Sequence, residues 1–205
     1  PGYPGAERFL AALGAGEGVR AAWTPVPVFA PPGDWAAGLL DAAAATLSAG
    51  RGAILMVPDA AAMAVLTAQA SARFGEGSFV TLTADLGPAA RYRNYLAVSR
   101  GDVRCVLGTR GAVFAPVADL GLIAVWDEGN DAYAEPRAPY PHVREVAALR
   151  ASREGSGLLL AGYGRTAEVA ALAARGWLVP VDLPARDIRR LGPAVRAATD
   201  TDRAL

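Results

Sequence analysis

The chain contains no lysine. All 20 of its Lys-plus-Arg positions are arginine, and 20 Asp and Glu balance them to a formal net charge of zero. This absence excludes the lysine that reaches the β- and γ-phosphates in P-loop nucleotidases, and with it all Schiff-base and lysine-nucleophile chemistry. Cysteine and histidine are nearly absent too, with Cys105 and His142 the sole examples. No disulfide can close within the chain, a Cys/His zinc cluster lacks ligands, and any serine or cysteine triad would have to use His142. No run of 18 apolar residues occurs, so no membrane partner is expected. The opening Pro1-Gly2-Tyr3-Pro4 has neither a basic n-region nor an apolar h-region, and no initiator Met. It reads as a piece of a longer cytoplasmic protein.

What is present is a regular alternation of apolar strands and helices. Residues 1–34 read as a leading segment that approaches the main lobe. They hold a short helix over Glu7 to Leu13 and a strand candidate over Arg20 to Val28, whose Pro25 and Pro27 predict an edge or distorted strand. Asp34 is placed to cap a helix from Trp35 to about Leu47. Apolar strands are expected at Ala53–Val57, Phe79–Leu82, Val103–Leu107, Leu122–Trp126, Leu158–Ala161 and Trp177–Val181. Helices fall between them, near residues 60–74, 89–99, 142–153 and 166–174. Strands that are apolar throughout, rather than alternating, point to a parallel sheet covered on both faces. The fold expected for residues 35–182 is therefore α/β, an open and mostly parallel sheet with helices on both faces. Residues 183–205 form a polar tail, read as a linker to downstream domains or as the first helix of something missing.

In such sheets function lies beyond the C-terminal ends of the strands. Here those ends read Pro58-Asp59, Thr83-Ala84-Asp85, Gly108-Thr109-Arg110, Asp127-Glu128 and Gly162-Tyr163-Gly164. An apolar strand running into Asp-Glu is the pattern that holds Mg²⁺ and orients water against a γ-phosphate; it is also how a buried strand ends and caps the next element. Arg110, beside two small residues, suits either a nucleic-acid phosphate or a salt bridge inside the lobe. Phe114 and Pro116 read as packing residues. Cys105 reads as buried, and His142 as the packed start of a helix. Arg91, Arg93, Arg100 and Arg104 make the densest basic run before the tail, most simply a solvated helix face.

Several of these segments occur in one order that resembles a known family. Gly108-Thr109-Arg110-Gly111-Ala112-Val113-Phe114-Ala115-Pro116 is similar to G-T-R-S-A-L-F-x-P. Leu120-Gly121-Leu122 follows like N-L-G, Leu55-Met56-Val57-Pro58-Asp59 is similar to V-P-E, and Pro141-His142-Val143-Arg144-Glu145 to Y-H-A-R-D. Asp85 to Arg91 resembles S-x-L-S-x-x-E-R. Across roughly Ala30 to Val181 the chain resembles the PriA family of primosomal replication-restart helicases, its actinobacterial members above all. The resemblance implies the first RecA-like helicase lobe, with ATP and Mg²⁺ bound in helicase relatives. It also implies a DNA-binding domain upstream, and a cysteine-rich zinc insertion and second lobe downstream. DNA-facing contacts would fall on Thr109 and Arg110.

The departures from the family pattern are concentrated at the nucleotide site. The phosphate loop, G-x-T-G-S-G-K-T in helicases, falls at about Pro31-Pro32-Gly33-Asp34-Trp35-Ala36. The lysine position is Trp35 and the threonine position Ala36; two prolines bring no N–H donors, and Asp34 would repel a triphosphate. D-E-E-H has become Asp127-Glu128-Gly129-Asn130, and G-S-A-T-P has become Ala161-Gly162-Tyr163-Gly164-Arg165. Gly33, Asp34, Trp35, Ala36, Asp127 and Glu128 are therefore expected to form a vestigial nucleotide and metal site, with no cofactor bound by this chain. The expected role is a non-catalytic helicase-like lobe that contributes to recognition of forked or single-stranded DNA and to assembly of primosome or other replication proteins. The alternative is an ATP-dependent 3′–5′ DNA helicase that keeps nucleotide binding through an atypical site. Zero net charge gives little long-range attraction to phosphates, so DNA binding by this lobe alone is expected to be micromolar or weaker.

Overall fold

The structure, a computed structural model, describes residues 2–27 and 35–191. Seven parallel strands, β1 (Arg20–Thr24), β2 (Gly52–Met56), β3 (Val80–Leu82), β4 (Cys105–Gly108), β5 (Leu120–Trp126), β6 (Gly157–Ala161) and β7 (Val179–Asp182), form one sheet. Their order is β3-β4-β2-β5-β6-β1-β7. The helices are α1 (Ala6–Gly14), α2 (Trp35–Ser48), α3 (Ala60–Phe74), α4 (Pro88–Arg100), α5 (Val143–Glu154), α6 (Ala167–Ala174) and α7 (Ala185–Leu191). Two single-turn 3₁₀ segments follow the ends of β4 and β5, at Arg110–Phe114 and Asp131–Tyr133. Among the described residues no helix is long and apolar enough to cross a membrane.

The uniformly apolar strands explain the two-sided cover. Every residue of β2, β4, β5 and β6 is buried, and alternate residues enter different cores, as the strand period of two requires. Ala53 and Leu55 face α1, α2 and α3 together with Leu39, Leu40 and Leu66. Ile54 and Met56 face α4, α5 and α6 together with Val98, Val143, Ala147 and Val169. Each fully buried Leu or Ile contributes about 1.5–3 kcal/mol relative to leaving it in water. At Gly38 the helix α2 crosses so close to β1 that a Cβ would stand 2.2 Å from the Trp23 ring. Only glycine lets these two elements pack at that distance.

The structure departs from the sequence expectations in two places, the position of β1 and the exposure of Phe114. β1 is not an edge strand; it pairs with β6 on one side and β7 on the other. Its ladder ends at Thr24, so Pro25 and Pro27 fall beyond the last paired residue and remove no ladder donor. With β1 in the sheet and α1, whose Leu13 is buried in the core, in its cover, residues 6–24 belong to the same lobe. Phe114 is 60% exposed, because its 3₁₀ turn directs Ala112 and Val113 inward instead; Pro116 is half-buried. The segment after Asp182 contains α7, an exposed helix with no buried residue.

His142 and Cys105 match their expectations. The His142 Nδ1 accepts from the Arg144 N–H at 3.2 Å and caps α5. Burial lowers its pKa, with the Arg144 charge acting in the same direction. Cys105 is fully buried, and loss of hydration pushes its thiol up to about 12.

Candidate functional site

All seven strands run the same way, so their C-terminal ends share one edge of the sheet. Two distinct environments form there.

The first lies where β5, β6 and the start of α2 meet. Trp35, at the first turn of α2, stacks on Trp126, the last residue of β5, with ring centroids 4.7 Å apart and planes 9° from parallel. Tyr163, just past β6, meets Trp126 edge-on at 5.0 Å. Such offset and edge contacts add about 0.5–1.5 kcal/mol per pair beyond area burial. Ala36 is fully buried in the core under α2. Gly33 and Asp34 lie outside the described residues; of the expected set, Trp35 reaches the end of β5 through its stack on Trp126, next in the chain to Asp127, while Glu128 turns into the fold.

Asp127 and Glu128 occupy a tight reversal in which Asp127 takes a left-handed backbone, φ 52°. Glu128 turns inward and is 2% exposed. Its Oε2 accepts from the Arg144 guanidinium at 3.0 Å and from the Thr166 hydroxyl at 3.1 Å, and its Oε1 accepts from the Thr166 N–H at 3.0 Å. Arg144 also reaches the exposed Glu168 at 3.3 Å. Glu128 thus holds the starts of α5 and α6 against the end of β5. A Cβ on Gly129 would stand 2.6 Å from the Thr166 methyl, so a residue larger than glycine would push α6 away from this carboxylate.

The Asn130 side chain donates to Asp127 Oδ2 at 2.7 Å and accepts from the Ala132 N–H at 3.0 Å. It therefore ties the strand-end acid to the following turn. The Tyr133 hydroxyl, fully buried, donates to the Trp126 carbonyl at 2.7 Å. Its pKa is raised by burial, and further by the Asp127 and Asp59 charges. Arg165, in the loop that carries Tyr163, makes a paired contact to Asp182 at 2.7 and 2.9 Å and reaches Thr24 at 3.2 Å. Arg144, Thr166 and Arg165 complete this environment; Arg165 falls in the segment matched to G-S-A-T-P, whereas the sequence gives Arg144 and Thr166 no place at this site. The signal for Arg144 was present in the segment similar to Y-H-A-R-D, but its partner could not be read from spacing.

The second environment lies at the ends of β2, β3 and β4. An open cleft of about 480 Å³ runs there, walled by Thr83, Arg91, Tyr95, Thr109, Arg110 and Glu135 among others. Both residues expected to face DNA, Thr109 and Arg110, line it. The Arg110 guanidinium is, however, committed to its own chain. It donates to the Ala132 and Ala134 carbonyls at 3.3 and 2.9 Å and pairs with Glu135 at 3.2 Å. Arg110 is thereby a strut under the loop after the second 3₁₀ turn, as the salt-bridge reading of this residue anticipated.

No family model matches the chain. Among curated proteins it is 46% identical over 200 residues to the probable replication restart protein PriA of Mycobacterium tuberculosis (strain H37Rv), across 97% of this chain and 30% of that protein. It is 45% identical over 194 residues to the corresponding protein of Mycobacterium leprae, across 95% and 29%. To the replication restart protein PriA of Bacillus subtilis (strain 168) it is 30% identical over 149 residues, across 73% and 18%. The chain spans about 30% of the length of the mycobacterial relatives. Among solved structures, the Hef helicase domain of Pyrococcus furiosus superposes over 96% of this chain and 41% of that one, with a TM-score of 0.59 and 15% identity. RecG bound to a three-way DNA junction superposes over 82% of this chain and 21% of that one, with a TM-score of 0.51 and 16% identity. At those identities the likeness is one of fold: an open parallel sheet with helices on both faces.

Proposed function

From the premise that the chain belongs to the PriA family of replication restart proteins, we propose that it is a helicase-like lobe working without nucleotide turnover, as a DNA-contacting and assembly element. The observation that carries this reading is the aromatic stack at the start of α2. Where helicase relatives place a lysine against phosphate, Trp35 lies flat on Trp126. Neither Trp35 nor Ala36 offers a cation or hydroxyl to a phosphate or to Mg²⁺, and the indole fills space next to the strand-end acids.

The second support is Glu128. A glutamate that orients water for attack on phosphate must present a free carboxylate oxygen to solvent. Both Glu128 oxygens accept from protein donors, and the side chain is buried against Arg144. Asp127 has one oxygen occupied by Asn130. These residues do not fit a magnesium–nucleotide complex. Glu128 serves the fold, joining α5 and α6 to the end of β5.

With the nucleotide site closed, the surface left to act is the open cleft at β2, β3 and β4, walled in part by Thr109 and Arg110. DNA, forked or single-stranded, is the partner proposed for it. Replication-restart proteins and the remainder of the longer protein supply the other contacts. Titration of the chain with Mg-ATP in a calorimeter tests the reading. No binding heat is expected; micromolar affinity that disappears in Asp127→Asn would revive an atypical nucleotide site and overturn it.

A further inference from the structure

The helix α4 is the least buried of the long helices that cover the sheet. Val98 is its only buried residue, and the Asn94 side chain, which donates to the Thr81 carbonyl at 2.9 Å, fastens it to the edge strand β3. Its sequence, PAARYRNYLAVSR, has three arginines and no acidic residue. Arg51, Arg73, Arg110, Arg144, Arg150 and Arg165 sit in salt bridges elsewhere in the fold. Among the described residues, the side chains of Arg91, Arg93 and Arg100 make no salt bridge and no hydrogen bond. A chain neutral overall thus carries a local excess of unpaired positive charge on one exposed helix.

Arg91 and Tyr95 are one helical turn apart and share a face. Both line the cleft, opposite Thr109. Arg91 is exposed, and Tyr95 is 44% exposed with no ring partner among the described residues. The acid on the cleft wall, Glu135, is already neutralised by Arg110. The acid nearest in the chain, Asp85, does not line the cleft; it is held ionised by hydrogen bonds from the Thr83 side chain and from its own backbone. The cleft therefore offers an uncommitted guanidinium, an uncommitted aromatic face and two threonine hydroxyls within a space large enough for small-ligand-sized groups.

We propose that Arg91 and Tyr95 on α4, and not Arg110, make the direct contacts of this lobe to single-stranded nucleic acid. Arg91 takes a backbone phosphate and Tyr95 stacks on a base. Arg110 shapes the cleft wall, because both terminal nitrogens of its guanidinium already hold partners inside the chain. Duplex is disfavoured, since its bases are already stacked on one another and present no face to Tyr95. The inference rests on the DNA-contacting reading above and assigns that reading to particular side chains.

The test is fluorescence anisotropy of labelled oligothymidylate, at low and near-physiological salt, with the whole 205-residue chain. Arg91→Ala combined with Tyr95→Ala is expected to weaken binding about tenfold or more. Arg91→Ala alone is expected to lower the salt dependence by about one phosphate. Arg100→Ala removes the same charge from the other side of α4 and is expected to change affinity less than about twofold, as general electrostatics alone predicts. All three residues are exposed, and far-UV circular dichroism confirms that each variant keeps its fold. If the double variant binds as tightly as the parent, or Arg100→Ala weakens binding equally, the assignment to Arg91 and Tyr95 is wrong while DNA contact by the lobe stands. A duplex of the same length that binds as well as the single strand removes the stacking role. If the folded parent does not bind oligothymidylate at all, the DNA-contacting reading itself falls.

Discussion

At one edge of a single sheet, the β5–β6 end is filled and the β2–β3–β4 end is open. At the filled end each acid that could serve chemistry has a protein partner: Glu128 with Arg144 and Thr166, Asp127 with Asn130. Three aromatic rings pack together beside them, Trp35 on Trp126 and Tyr163 edge-on to Trp126. At the open end an arginine and a tyrosine stand without partners in a solvent-filled cleft. A strand edge becomes a site only where side chains keep unsatisfied donors, charges or faces. Where they satisfy one another, the same edge becomes a structural joint.

Substitutions should separate the two ends by their effect on stability. Glu128→Ala leaves the buried Arg144 with only the Glu128 backbone carbonyl and the exposed Glu168 as partners, and takes the acceptor from the Thr166 N–H and hydroxyl. It should cost about 3 kcal/mol in urea denaturation; a neutral result would mean that the filled end is not a joint. Trp35→Ala removes the stack from a partly buried position and should cost about 2 kcal/mol, with no gain of Mg-ATP binding by calorimetry. His142→Ala should cost about 1 kcal/mol through the lost cap of α5.

His142 also sharpens the comparison through pH. Its folded pKa lies below the ordinary 6.5, first because of burial and then because of Arg144. The unfolded chain therefore takes up a proton that the folded chain resists. Stability should be full at neutral pH, fall as pH drops through 6.5, and level off below the folded value. Replacing His142 with Asn keeps a capping acceptor and should flatten that part of the profile, measured as urea midpoints across pH 5 to 8, a range of about three units around the histidine pKa. The smallest effect belongs to the open end. Arg91→Ala and Tyr95→Ala should each shift stability by no more than about 0.5 kcal/mol. A larger loss would show that these side chains are packing residues.

Much of this fold was legible because its strands are short, apolar runs bounded by glycine, proline and acids. β5 and β6 appear within a residue or two of their expected limits, and the all-apolar pattern correctly implied cover on both faces. β1 was misjudged because prolines were taken to interrupt it, when they lie past its last paired residue. The site was legible as positions and illegible as roles. Asp127-Glu128 could be found from the strand that leads into it. That Glu128 points inward, to a residue 16 positions on and another 38 positions on, could not be found from spacing.

The sequence by itself determined the absence of lysine, the parallel α/β architecture and the likeness to one family, because composition, period and motif order are properties of the chain alone. Tertiary structure decided which charges remain free. Arg110, at the end of a strand, and Arg91, on a helix, carry the same charge at one cleft, yet the guanidinium of one is held by two carbonyls and a glutamate and that of the other by nothing among the described residues. That difference depends on how a loop and a helix fold back over the same sheet edge. Whether a guanidinium is satisfied is a matter of distances between segments far apart in the chain.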